Sequence, residues 1–212
     1  MTENLRKKTV SGVFWSAIER FSLQGVQFII NIIMARLLLP SDYGIIGMLA
    51  VFLLISQTFI DGGFANALIQ RKDRTETDFS TVFYFNIFIA VLFYILIFFS
   101  APLIAVFYNM PGLEDVARII ALSLIISSLS TVHKTKLTID IDFKTQSKIS
   151  FTAALISGLI GIWMAYKDFG VWALVTQTLI NSVLQTTLYY WLSHWFPLKI
   201  FSWHSFKTLF AF

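Results

Sequence analysis

Apolar stretches of about twenty residues recur along this chain, and that recurrence leaves few folds open to it. Six of them, at roughly 10–34, 44–66, 82–107, 116–137, 149–166 and 171–193, are long enough to cross a hydrocarbon layer about 30 Å thick. No water reaches the backbone there, so each stretch must satisfy its own amide and carbonyl groups as a helix. Strands of about ten residues would alternate apolar and polar positions, and these stretches do not. Between them lie short runs of turn formers and charge: Pro40-Ser41-Asp42-Tyr43-Gly44, Arg71-Lys72-Asp73-Arg74-Thr75-Glu76, Asn109-Met110-Pro111-Gly112, Asp140 to Lys148, and Lys167-Asp168-Phe169-Gly170. The expected fold class is therefore all-α, a polytopic membrane protein with a six-helix transmembrane bundle over residues 1–193. A cytoplasmic linker and the start of a further helix are expected over 194–212.

Composition agrees and narrows the chemistry. Hydrophobic residues make up 57% and charged residues 13%, against about 25% charged in soluble domains. Mean hydropathy is +0.73. No cysteine occurs, which excludes disulfides, thiolate metal sites and thiol nucleophiles. His133, His194 and His204 are too scattered for a metal motif, and the sequence has no phosphate-binding glycine loop and no nucleophile elbow. The connections are too short for a catalytic domain, so a non-enzyme without a cofactor is expected. A net charge of +4 would raise the question of nucleic acid in a soluble chain, but here the basic residues sit between apolar spans. Membrane topology accounts for them, and nucleic acid is not an expected partner.

Arg6, Lys7, Lys8, Arg71, Lys72, Arg74, Lys134, Lys136, Lys144, Lys148, Lys199 and Lys207 fall on one side of the expected bundle, and only Arg36, Arg118 and Lys167 on the other, a ratio of 12 to 3. The positive-inside rule then makes the N-terminus cytoplasmic and returns the chain to the cytoplasm after residue 193. Met1 to Lys8 resembles the n-region of a signal peptide. The apolar run behind it carries Glu19 and Arg20 and lacks a clear small-residue cleavage site, so it reads as a retained first span. Trp172, Trp191 and Trp195 fit interfacial aromatic belts. Trp203 to Phe212 begins an apolar, helix-compatible run that stops abruptly, which reads as a truncated seventh helix or as an interfacial amphipathic helix.

An ionised side chain at a bilayer centre costs on the order of 3 kcal/mol or more, so it persists only where partners or water meet it. The first span nevertheless holds the adjacent pair Glu19-Arg20. Ser16, Arg20, Gln24, Gln27 and Asn31 follow at offsets of 4, 4, 3 and 4, on one side of a helix. That side either lines a hydrated cavity or serves as polar glue between helices; the charged pair favours the cavity. In the second span Gln57 and Asp61 stand four apart ahead of Gly62-Gly63, where the acid can titrate, pair with Arg20, or cap a helix break.

The sixth span repeats an amide every four residues, Gln177, Asn181 and Gln185; the fourth repeats Ser123, Ser127, Ser130 and Lys134. Serine is the weaker signal, because its hydroxyl can bond back to its own helix. Several polar stripes together favour one shared central cavity. The fifth span instead carries small residues, Ala153, Ser157, Gly161 and Ala165, which allow close helix approach. Asn86, alone in the third span, is expected to make an interhelical bond.

Ala35-Arg36-Leu37-Leu38-Leu39-Pro40-Ser41-Asp42-Tyr43-Gly44, after a span with Trp15, Glu19, Arg20, Gln24, Gly25 and Gln27, resembles the polysaccharide transporter family. So do Asp61-Gly62-Gly63-Phe64, Ala67-Leu68-Ile69-Gln70-Arg71, and Ala101-Pro102-Leu103-Ile104-Ala105-Val106-Phe107-Tyr108. These are the Wzx-type flippases of the larger group that also holds multidrug and toxin extruders and the lipid II flippase. The resemblance covers essentially the whole chain and lies closest to colanic acid and lipopolysaccharide exporters.

It implies a bacterial inner-membrane flippase that moves undecaprenyl-diphosphate-linked oligosaccharide repeat units by alternating access between two six-helix lobes. This chain would be the first lobe. The implied partners are the lipid-linked oligosaccharide, membrane lipids, the second lobe and a polysaccharide polymerase. Arg20 would clamp the diphosphate, Glu19 would limit its affinity, and Gln24, Gln27, Asn31, Gln177, Asn181 and Gln185 would contact sugars. Gln57 and Asp61 complete the cavity set, with Asp61 and Glu19 as coupling acids. Two other readings compete: a drug or cation antiporter of the same fold, which would present acidic and aromatic groups, and an assembly subunit of a glycan-synthesis complex, whose polar stripes would be buried and dry.

Overall fold

The computed structural model describes residues 24–71 and 73–210. Its described elements are all helices: α1 (Gln24–Leu37), then α2 (Pro40–Asp61), α3 (Phe64–Gln70), α4 (Glu76–Phe107), α5 (Leu113–Ile120), α6 (Leu122–Ile139), α7 (Phe143–Tyr166), α8 (Val171–Ser193) and α9 (Trp203–Phe210).

Local chemistry sets the helix ends. Pro40 opens α2, where its missing N–H is no loss. Asp42 reaches back to accept from the Leu39 amide at 3.0 Å. Gly62 and Gly63 then take φ of 42° and 77°, which splits one apolar run into α2 and α3; a side chain at Gly62 would be strained in that conformation. Thr75 and Asp78 cap α4 reciprocally, Asp78 accepting from the Thr75 amide at 2.9 Å. Asp142 caps α7 by accepting from the Thr145 amide at 3.1 Å and its hydroxyl at 2.7 Å.

Four helical segments are long and apolar enough to cross a membrane: Pro40–Gln70 (α2 with α3), Glu76–Phe107, Leu113–Ile139 (α5 with α6) and Phe143–Tyr166. They correspond to the second to fifth expected spans, and in α2, α4 and α7 the helix extends beyond its apolar centre through a capped polar turn. The sixth, α8, is 23 residues long, about 35 Å at 1.5 Å per residue, but its Gln, Asn and Thr residues dilute its hydropathy. The first expected span continues from α1 into residues outside the described set. The six-span count thus stays an expectation, with four spans present by length and composition.

Packing divides between the two ends of the bundle. At the sparsely charged end, Leu49, Ala101, Leu113, Val116, Ala117, Ile120 and Val175 join α2, α4, α5 and α8 in one core. At the basic end, Phe64, Phe79, Val82, Phe83, Val132, Trp195 and Leu209 join α3, α4, α6 and the segment after α8. A third cluster seats α1 against α7 and α8 through Ile30, Met34, Leu38, Ala165 and Ala173. Ala165 and Gly161 of the expected small-residue row sit at the α1 and α8 contacts of α7, while the tightest approach, to α1, is at Gly158, one residue off that row. A Cβ on Gly158 would fall 2.1 Å from Ile30 Cδ1, and one on Gly161 would fall 3.1 Å from the Gln177 side chain.

Candidate functional site

α1 buries Ile30 and Met34 at i, i+4 spacing, a row that Leu38 continues just past its end, so Gln27 and Asn31, which neighbour that row and line the same cavity as α8 residues, lie along its edge facing α8. Across from them α8 presents Gln177, Thr178, Asn181 and Ser182. Together with Ile30, Ile46, Ala154, Ser157 and Leu174, these residues enclose a cavity of about 340 Å³. That lies at the lower end of the ~300–1,000 Å³ typical of small-ligand sites. Gln27 and Asn31 are exposed, so the cavity opens past α1.

The amides divide into two classes. Gln185 Nε2 donates to Asn181 Oδ1 at 2.6 Å, Asn181 Nδ2 donates to Ser157 Oγ at 3.2 Å, and Ser157 Oγ donates to the Ala154 carbonyl at 3.3 Å. This relay stitches α8 to α7 and fixes the orientation of Asn181. Gln27, Asn31 and Gln177 make no side-chain hydrogen bond to another described residue. Their amides each hold two donors and an acceptor available to a ligand or water.

Of the residues expected at a shared site, Gln27, Asn31, Gln177 and Asn181 come together. Gln185 supports Asn181 without lining the cavity. Gln24 is exposed on α1, outside the described lining. Gln57 and Asp61 bond to each other at 3.1 Å at the far end of α2, and Asp61 lies within electrostatic range of Lys134 on α6. Glu19 and Arg20 lie outside the described residues. Asn86 departs from expectation: it is fully buried, yet neither amide atom has a partner among the described residues, so no interhelical bond forms among them.

Thr178 and Ser182 also line the cavity. Each follows an amide of the ladder by one residue, a position that a strict four-residue count passes over. Ser157 does double duty, as a small packing residue and as a relay member. The serines of α6 spend their hydroxyls on nearby backbone of the same span, Ser123 on the carbonyl of Ile120 at the end of α5 at 2.6 Å and Ser130 on that of Ser127 in α6 at 2.8 Å. Among the described residues no group of three or more metal-ligating side chains is assembled. The described lining is uncharged, so it offers hydrogen bonding and aliphatic contact, with no acid or base aimed into it.

The chain is similar to the teichuronic acid biosynthesis protein TuaB of Bacillus subtilis (strain 168), 29% identical over 213 residues, covering 99% of this chain and 44% of that one. It is similar to the lipopolysaccharide biosynthesis protein WzxC of Escherichia coli (strain K12), 23% identical over 186 residues, 88% of this chain and 38% of that one. It also resembles the succinoglycan biosynthesis transport protein ExoT of Rhizobium meliloti (strain 1021), 26% identical over 204 residues, 95% of this chain and 41% of that one. The chain thus spans less than half the length of these relatives. No solved structure is a significant match. Residues 33–212 match the profile of the family described as polysaccharide biosynthesis protein, and the chain belongs to that family.

Proposed function

We propose that this chain is the cavity-bearing part of an exporter that carries undecaprenyl-diphosphate-linked oligosaccharide repeat units across a bacterial inner membrane for surface polysaccharide synthesis. The observation that carries the reading is the cavity between α1, α7 and α8, whose described lining is amide, hydroxyl and aliphatic. A sugar presents hydroxyls and C–H faces in the same mixture. A cationic cargo would call for carboxylates or an aromatic box. Polar groups serving helix assembly alone would be paired, and Gln27, Asn31 and Gln177 are unpaired among the described residues.

In this reading Gln27, Asn31, Gln177 and Asn181 contact sugar hydroxyls and Gln24 extends that surface along α1. Arg20 holds the diphosphate as a two-pronged anion clamp, and Glu19 weakens that hold enough for release. The polyprenyl tail stays in lipid. The basic end faces the cytoplasm, a second six-helix lobe closes the cavity, and rocking of the lobes alternates access. Asp61, with Gln57 and Lys134 beside it, and Glu19 are the coupling acids, and a polysaccharide polymerase takes up the delivered unit. The relatives' roles in teichuronic acid, lipopolysaccharide and succinoglycan biosynthesis support a polysaccharide cargo.

The test is reconstitution of the full-length protein in vesicles with a fluorescent lipid-linked oligosaccharide confined to one leaflet. Wild type should carry the label across. Gln177→Leu should slow transfer about tenfold, the effect of losing one or two hydrogen bonds to the cargo. Transfer no faster than in empty vesicles, or unchanged by Gln177→Leu, contradicts the reading.

A further inference from the structure

The segment after α8 folds back on the basic end of the bundle as a strap. Trp195 Nε1 donates to Glu76 Oε2 at 2.5 Å, the Leu198 amide to Ser80 Oγ at 2.9 Å, and the Ser202 amide to Thr81 Oγ1 at 3.1 Å. α9 then buries Ser205 and Leu209 and stacks Phe206 on Phe64, with ring centroids 5.6 Å apart. The inner face of the strap is thus consumed by α3 and α4.

Its outer face is of a different kind. Phe196, Ile200, Phe201 and Trp203 are exposed, Trp203 at 60%. Lys199 and Lys207 are exposed between and beside them, and no Asp or Glu occurs from His194 to Phe212. Lys207 Nζ stands 5.9 Å from the Trp203 ring, which ties a cation to an aromatic on one face of α9. Nearby acids are already engaged: Glu76 by Lys136 at 2.8 Å and by Trp195, Asp78 by the Thr75 amide and by Arg71 at 3.4 Å. The uncompensated charge of the strap is positive. Aromatic and aliphatic side chains with lysines at the end of a transmembrane bundle match the layer where acyl chains meet headgroups.

We propose that the strap from Phe196 to Lys207 is a binding surface for anionic phospholipid headgroups, holding the bundle's basic end in the membrane interface. The aromatic residues enter the acyl boundary, and Lys199 and Lys207 meet the phosphates. A zwitterionic leaflet offers the same apolar layer without net charge, so the lysines make the preference.

The test uses the full-length protein with Ile200→Cys as its single cysteine, carrying a nitroxide, in vesicles with and without anionic phosphatidylglycerol. With the anionic lipid, the label should be shielded from a water-soluble paramagnetic relaxer and reached by oxygen. The ratio of shielded to unshielded label should fall about fivefold for each lysine replaced in Lys199→Gln and Lys207→Gln. Zwitterionic lipid or salt near ~0.5 M should act in the same direction. A label open to the aqueous relaxer in both lipids overturns the proposal. So does one shielded equally whatever the lipid charge, salt or lysine content, since that result means protein covers the strap. Neither outcome depends on transport, so the result stands apart from the fate of the exporter reading.

Discussion

Arg118 donates from Nε to the carbonyl oxygen of Phe98 at 3.4 Å, and that carbonyl is the one whose helical partner would have been the nitrogen of Pro102. Proline has no N–H to give, so within α4 the Phe98 oxygen loses its i+4 donor. The guanidinium stands 4.5 Å from the Phe98 ring and pairs with Glu114 at 2.7 Å, so a side chain from α5 repairs the break in α4. One of the few cations at the sparsely charged end therefore has a structural task.

Arg118→Ala should destabilise the protein by about 1–2 kcal/mol, the loss of a charge-assisted hydrogen bond and a cation–π contact at a half-exposed site. Pro102→Ala restores the N–H. In that background the Arg118→Ala penalty should shrink by about 0.5–1 kcal/mol. Unfolding in detergent, followed for the four members of the cycle, measures the coupling; fully additive effects would contradict the repair.

Gln177→Leu and Asn181→Leu should separate function from stability. Gln177 has no hydrogen-bond partner among the described residues, so its replacement should change stability by less than about 0.5 kcal/mol while slowing transport. Asn181 links Gln185 to Ser157, and its loss strands both, at about 1–3 kcal/mol. Thermal unfolding beside a transport assay reads the two effects. Equal stability losses would mean that Gln177 is also structural.

Gly158→Val should displace α1, because a Cβ alone already falls 2.1 Å from Ile30 Cδ1 and 2.9 Å from Cγ1. Overpacking of this kind costs about 1–3 kcal/mol. Ile30→Ala should recover much of the loss by vacating the space. Disulfide trapping between α1 and α7 can follow the displacement, and an unchanged trapping rate in Gly158→Val would contradict it.

Glu76 holds Lys136 and Trp195 at once, and because its side chain is half exposed its replacement by Ala should cost only about 1 kcal/mol. Lys136 also stands 4.7 Å from the Phe79 ring and 5.1 Å from that of Trp195. Glu76→Ala should therefore loosen the strap, raising proteolysis between Trp195 and Trp203 while the four apolar spans stay protected. Cleavage no faster than in wild type would show that the apolar contacts of Phe206 and Leu209 hold the strap unaided.

Hydropathy made the second to fifth spans legible because lipid leaves the backbone one solution. It missed their polar ends: Glu76 to Thr81 and Phe143 to Lys148 are helical because Thr75 and Asp142 cap them, and caps lie outside any count of apolar residues. The amide ladder of α8 was legible as a four-residue repeat. The sequence did not reveal that Gln185 works through Asn181 while Gln177 stays unpaired, since α7 decides that by placing Ser157 opposite one amide and Gly161 opposite another. Gln57 and Asp61 shared the same spacing yet lie at the other end of α2, because periodicity assigns a face and gives no depth. The strap was the least legible part: Trp195 and Glu76 are 119 residues apart in sequence and meet only once the bundle is assembled.

The measurement that bears most directly on the central claim is export in a bacterium lacking its own transporter of this kind, supplied with the full-length gene or with its Gln27→Leu, Asn31→Leu, Gln177→Leu triple variant at matched expression. Wild type should restore surface polysaccharide. The triple variant should fail to do so and should leave lipid-linked repeat units in the cytoplasmic leaflet. Full export by the triple variant would contradict the assignment of the α1–α7–α8 cavity as the sugar path.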